Sequence, residues 1–87
     1  MAWSIEFDEG IEKILKRLST VNQRRILAFL EERVASGDPR TLGHALQGKL
    51  AGLWRYRIGD YRVVARLKDD RLVVLVIDVG HRSAVYR

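Results

Sequence analysis

The chain has 87 residues, 47% of them hydrophobic and 31% charged, with one proline; that fits one small domain spanning 1–87 and argues against a second core, a disordered tail, a collagenous repeat or a solenoid. It has no cysteine and two histidines, which excludes a disulfide framework, thiolate redox chemistry and a structural zinc site. The formal charge is +5, which makes a polyanion or an acidic protein the expected partner.

Trp3, Ile5 and Phe7 alternate with Ser4 and Glu6, the period of two of a half-buried strand. Asp8 is placed to cap a helix in which Glu9 and Glu12 lie near the start, Lys13, Lys16 and Arg17 near the end, and Ile11, Ile14, Leu15 and Leu18 form one stripe. Thr20 and Gln23 resemble a capping box opening a second helix, with Ile26, Leu27, Leu30 and Val34 facing inward until Gly37. The two helices are expected to form a hairpin.

Asp38-Pro39 marks a break, and 40–52, with three glycines, reads as a connector carrying no strand. Three apolar runs follow, Leu53 to Ile58, Tyr61 to Lys68 and Arg71 to Val79, separated by Gly59-Asp60 and Asp69-Asp70. Two-residue loops between such runs predict an antiparallel meander. The fold class expected is therefore α+β: an N-terminal strand, a two-helix hairpin and a three-stranded meander, forming one sheet packed on the helices. The longest apolar run, Leu72 to Ile77, is far below the roughly 18 residues of a membrane helix, and no basic segment leads into an apolar stretch at the N-terminus. A soluble, unprocessed, cytoplasmic protein is expected.

The basic excess is confined to one half. Residues 1–36 carry six basic and six acidic groups, whereas 37–87 carry ten basic, eight of them Arg, and five acidic. If Gly59 and Asp60 are the loop, Arg57 opposes Arg62 and Arg55 opposes Val64, because loop length fixes register. Alternation then puts Arg55, Arg57, Arg62 and Arg66 on one face and Trp54, Tyr56, Ile58, Tyr61, Val63, Ala65 and Leu67 on the helix-packed face. Like charges directly opposite destabilise a strand pair by about 0.2–1 kcal/mol, which a bound anion would relieve. A two-residue Asp69-Asp70 loop sets Arg66 against Val73 and Arg62 against Ile77. His81 and Arg82 then emerge beside Arg57 and Arg62, a cluster suited to phosphate. Val73, Leu75, Ile77 and Val79 share the arginine face, to be covered by a protein partner, by the connector or by the tail. Trp3 and Trp54 belong to the core. His44, in the connector, reads as incidental.

In their order and spacing, Leu46-Gln47-Gly48, the run Leu53-Trp54-Arg55-Tyr56-Arg57-Ile58-Gly59-Asp60-Tyr61-Arg62-Val63-Val64, and Val76-Ile77-Asp78-Val79-Gly80-His81-Arg82 leading to Val85-Tyr86 resemble the RelE/ParE superfamily of toxins from bacterial type II toxin-antitoxin pairs. The resemblance covers nearly the whole chain. Its RelE-like branch implies a ribosome-dependent endoribonuclease that cuts mRNA without a metal or other cofactor, leaving a 2′,3′-cyclic phosphate. Carried over by position, the site residues are Arg55, Arg57, Arg62, Arg82 and Tyr86. RelE carries lysine at the positions of Arg55, Arg57 and His81. A guanidinium holds its proton too firmly to be a good general base, so Arg55 and Arg57 are expected to clamp the phosphate, and His81 to move the proton. The resemblance also implies a cognate antitoxin lying across the fold, with Val73, Leu75 and Ile77 as its apolar contacts and a toxin-antitoxin hetero-oligomer as the result. The alternatives are a ParE-like poison of DNA gyrase and a non-catalytic basic binding module.

Overall fold

The computed structural model describes residues 2–81. Five strands form one sheet, β1 (Ser4–Phe7), β2 (His44–Ala45), β3 (Leu53–Ile58), β4 (Tyr61–Lys68) and β5 (Val73–His81), in the order β1-β5-β4-β3-β2. β1 runs parallel to β5 and the other pairs are antiparallel. Two helices, α1 (Ile11–Lys16) and α2 (Thr20–Ala28), cross one face, and α2 widens into a π-helical turn over Phe29–Val34. No helix among the described residues is long and apolar enough to cross a membrane.

The helix starts differ from the expected caps. Asp8 spends its side chain on the N–H of Glu9, and Gly10, with φ +86°, occupies the cap position of α1. Ser19, one residue before Thr20, caps α2 by accepting from the N–H of Asn22, while Gln23 donates back to the carbonyl of Leu18. The inward stripe is as expected: Ile11, Leu15, Ile26, Leu30 and Val34 are buried against Tyr56, Ile58, Val63, Ala65, Val74, Val76 and Val79 of the sheet. Trp3, Trp54 and Tyr61 pack against the same cluster.

The connector is not strandless. His44 pairs with Arg55 and Ala45 with Trp54, and Leu46 N–H donates to the Leu53 carbonyl at 2.9 Å. This pairing needs a close approach: a Cβ on Gly43 would lie 2.8 Å from both the Arg55 carbonyl and the Tyr56 ring. The connector also covers part of the outer face, where Leu46 packs with Leu53, Val64 and Ile77 in a second, smaller cluster.

The β4–β5 register also departs from expectation. Lys68 pairs with Val73 and Arg66 with Leu75, so the loop has four residues, Asp69 to Leu72. Neither aspartate adopts a positive φ; the chain instead closes a turn through Arg71 N–H to the Lys68 carbonyl and places Leu72 at φ +52°. A four-residue connection built on a turn and a left-handed residue is the usual alternative when no glycine is present for a two-residue loop. A bulge follows, where Val64 opposes Asp78 and Ala65 opposes Val76, leaving Ile77 as the extra residue. Arg62 therefore opposes Gly80, not Ile77, and Val79 turns to the helix-packed face, where it is buried.

One polar contact ties the break at Pro39 to the sheet. Tyr56, fully buried, donates its hydroxyl to the Pro39 carbonyl at 2.7 Å. Burial pushes its pKa up to about 12, the nearby Arg40 opposing that shift. Arg40 makes a bidentate pair with Asp69, at 2.8 and 2.7 Å, and lies over the Trp54 ring. Removing the hydroxyl leaves a buried carbonyl without its donor, so Tyr56→Phe should lower stability by about 1–3 kcal/mol in urea denaturation. The raised pKa means that the folded state holds the phenolic proton more tightly, so this contribution is complete below about pH 10 and fades as pH rises towards about 12. The alkaline loss should be smaller in Tyr56→Phe; equal losses in the two proteins would refute the assignment.

Candidate functional site

The β3–β4 hairpin builds the site. Gly59 at φ +60° and Asp60 outside the left-handed region form the tight loop, and the pairs Ile58–Tyr61, Arg57–Arg62 and Arg55–Val64 follow from it. Paired residues share a face, so Arg55, Arg57 and Arg62 stand together on the side of the sheet away from the helices. Arg57 is exposed, whereas Arg55 and Arg62 are half-buried. Nε of Arg55 and Nη1 of Arg62 are withdrawn from solvent with no hydrogen-bond partner among the described residues. The ion pair found among those residues joins Arg40 to Asp69 and involves none of the three.

Two further ionisable groups lie on this face. His44 is the cross-strand neighbour of Arg55 and is exposed. Reading the connector as strandless hid this; the only signal available was Gly43, whose missing side chain lets β2 approach. Asp78 pairs with Val64, one step from Arg62, brought there by the bulge.

The structure brings His81 to the correct end of the sheet but to its other side. It pairs with Tyr61, and the two rings meet edge to face with centroids 5.8 Å apart. Tyr61 packs on the helix-side cluster, so the register places His81 with it, while Gly80 opposes Arg62. Arg82 and Tyr86 lie outside the described residues. Of the expected apolar strip, Val73 is buried at 4% exposure, which leaves little of it to offer a partner, while Leu75 and Ile77 are half-buried.

A match to the model for the ParE toxin of type II toxin-antitoxin system, parDE, extends over residues 2–86. The chain belongs to this toxin family. It is 33% identical to toxin RelG of Mycobacterium tuberculosis, over 100% of this chain and 99% of the relative. Among solved structures, the toxin-antitoxin complex RelBE2 of the same organism superposes with a TM-score of 0.85 at 24% identity, covering 95% of this chain and 94% of the other. A mutant E. coli toxin RelE in complex with an antitoxin RelBc peptide gives 0.74 at 26% identity, covering 100% and 98%. The protein is thus a toxin of the RelBE type, on a fold shared with the RelE toxins.

The opposed guanidiniums of this toxin give a direct test. Replacing Arg57 with Gln removes the like-charge pair and should raise stability at low salt by about 0.2–1 kcal/mol. Inorganic phosphate should raise the melting temperature of the parent more than that of Arg57→Gln. Equal phosphate effects would show that the pair is only a solvated surface.

Proposed function

We propose that this toxin is a ribosome-dependent endoribonuclease that cleaves mRNA and so halts translation. The observation that supports it most is the pair of buried guanidinium donors without acceptors among the described residues, Arg55 Nε and Arg62 Nη1, beside the exposed Arg57. Buried charged donors are costly unless matched by an acceptor. A phosphodiester supplies acceptor oxygens and opposite charge at once, and arginine's planar fork suits it.

In the reaction, a ribose 2′-hydroxyl attacks the adjacent phosphorus and the bond to the 5′-oxygen of the next nucleotide breaks. A base takes the proton from the 2′-hydroxyl, an acid returns one to the leaving 5′-oxygen, and the product ends in a 2′,3′-cyclic phosphate. Arg55, Arg57 and Arg62 hold the phosphate and spread the charge that builds on it. A guanidinium does not give up its proton readily, so the base is sought elsewhere. An imidazole titrates near neutrality and serves either role. His81 stands at the Arg62 end of the sheet, and His44 shares the face of Arg55. Arg82 and Tyr86 complete the set by position in the sequence. No cofactor is required.

The proposed partner is an antitoxin of the RelB type, as in the E. coli RelE complex. It would cover Leu75 and Ile77 and offer carboxylates to the guanidiniums, forming a hetero-oligomer in the cytoplasm. The matched family description favours a second reading, a ParE-like gyrase poison in which the same arginines hold DNA or a gyrase surface.

A translating extract separates the two readings. Cleavage of a reporter mRNA at codon boundaries, with cyclic phosphate ends, is expected; intact mRNA together with inhibited supercoiling by purified gyrase would replace the first reading with the second. Arg62→Ala should slow cleavage by about 10²–10³-fold, as loss of one charge-stabilising donor does. His44→Ala and His81→Ala, made separately, should lower the rate by about 10²–10⁴-fold for whichever imidazole transfers the proton. Parent rates in both would remove imidazole from the mechanism.

A further inference from the structure

On the other side of the β3–β4 turn, an open groove of about 360 Å³ runs between that turn and the helical layer, lined by Arg25, Phe29, Glu32, Arg33, Arg57 and Gly59 among others. Three arginines and one glutamate border it, Arg57 at the turn end. None of the three is in an ion pair among the described residues, so Glu32 does not neutralise them in pairs.

Two features hold these cations in place. Arg25 lies against the turn itself: a Cβ on Gly59 would meet its Nη2 at 2.9 Å and its Cζ at 3.3 Å. Glycine at this position thus serves the φ of +60° and also leaves room for the guanidinium. Arg33 sits over the Phe29 ring, 5.5 Å from its centroid, a contact that orients the planar group without using its N–H donors. The π-helical turn carries both Phe29 and Arg33.

Arg57 links the groove to the outer face. It opposes Arg62 on the sheet and also lines the groove, so the basic surface continues around the end of the hairpin. We propose that the groove is a second phosphate-binding subsite, in which Arg25 and Arg33 hold the backbone of a single-stranded RNA segment continuous with the one on the outer face. RNA fits better than an acidic peptide because the guanidiniums are strung along a track shared with the outer face, and because Phe29 with Arg33 forms a platform against which a base can stack. The inference rests on the reading of the outer face as an RNA site, but its test does not depend on cleavage.

The experiment measures binding of a short labelled RNA single strand to the full chain by fluorescence anisotropy across a salt series. Two phosphate contacts contribute about 1.4 to the slope of log K against log salt on a single strand, so the Arg25→Gln, Arg33→Gln double variant should lose about that much of the parent slope and bind about tenfold or more weakly at low salt. Glu32→Gln should bind more tightly, an opposite change that impaired folding would not produce. Unchanged affinity and slope in the double variant would overturn the subsite. So would an unaltered response to RNA combined with a lost response to polyglutamate, which would assign the groove to an acidic protein. If RNA binds with the expected slopes but a reporter mRNA stays intact in the translating extract, the subsite stands and the nuclease reading fails.

Discussion

The arginine face depends on how tightly one two-residue turn is specified. Gly59 adopts a φ of +60° that a side chain would resist, and a two-residue loop leaves the flanking strands one register. That register sets Arg57 against Arg62 and places Arg55 on the same side. A slip of one residue would turn either Arg55 and Arg57 of β3 or Arg62 of β4 into the helix-side core, where Tyr56, Ile58 and Val63 now sit. The hydrophobic pattern and the turn therefore enforce the same answer, and the charged face is the by-product of burying the apolar one.

The cost of that arrangement is local and specific. Like charges face each other across strands, and donors of Arg55 and Arg62 are withdrawn from water without acceptors among the described residues. The rest of the molecule is built to hold this in place: the Tyr56 hydroxyl to the Pro39 carbonyl, and Arg40 to Asp69, brace the sheet from the connector side. Holding the carboxyl of Asp69 below its usual range, the Arg40 guanidinium keeps that clasp ionised. The scaffold tolerates an unfavourable face because its stabilising contacts lie elsewhere.

Sequence was most informative where one rule acted alone. The period-two runs and Gly59-Asp60 defined β3, β4 and the arginine pairs. The inward stripes of α1 and α2 were equally plain, since burial and periodicity agree there. The Asp69-Asp70 loop misled because Asp-Asp carries no glycine to select the tight turn, and a loop of four residues with Leu72 left-handed leaves no mark in composition. The bulge at Ile77 was invisible for a related reason: in a run of apolar residues, Val73 to Ile77, inserting one residue changes no pattern. Its effect on the site is nevertheless large, since it sets Gly80 opposite Arg62, turns His81 to the side of Tyr61 and brings Asp78 to the arginine face. β2 escaped because a two-residue strand has no periodicity at all, so the proximity of His44 to Arg55 emerges only from the pairing.

On the nuclease reading, one set of donors links inhibition to catalysis. A phosphate and an antitoxin carboxylate are both oxygen anions, and each would satisfy the same buried N–H groups of Arg55 and Arg62. Neither can do so while the other is bound. Mutual exclusion then needs no conformational change in the toxin, because differential binding to a single state is enough. The apolar surface of Leu75 and Ile77 would give the antitoxin a patch to bury beside its charges, which RNA could not use. On that reading charge would draw both ligands to the face, and the apolar neighbour would decide which of them stays.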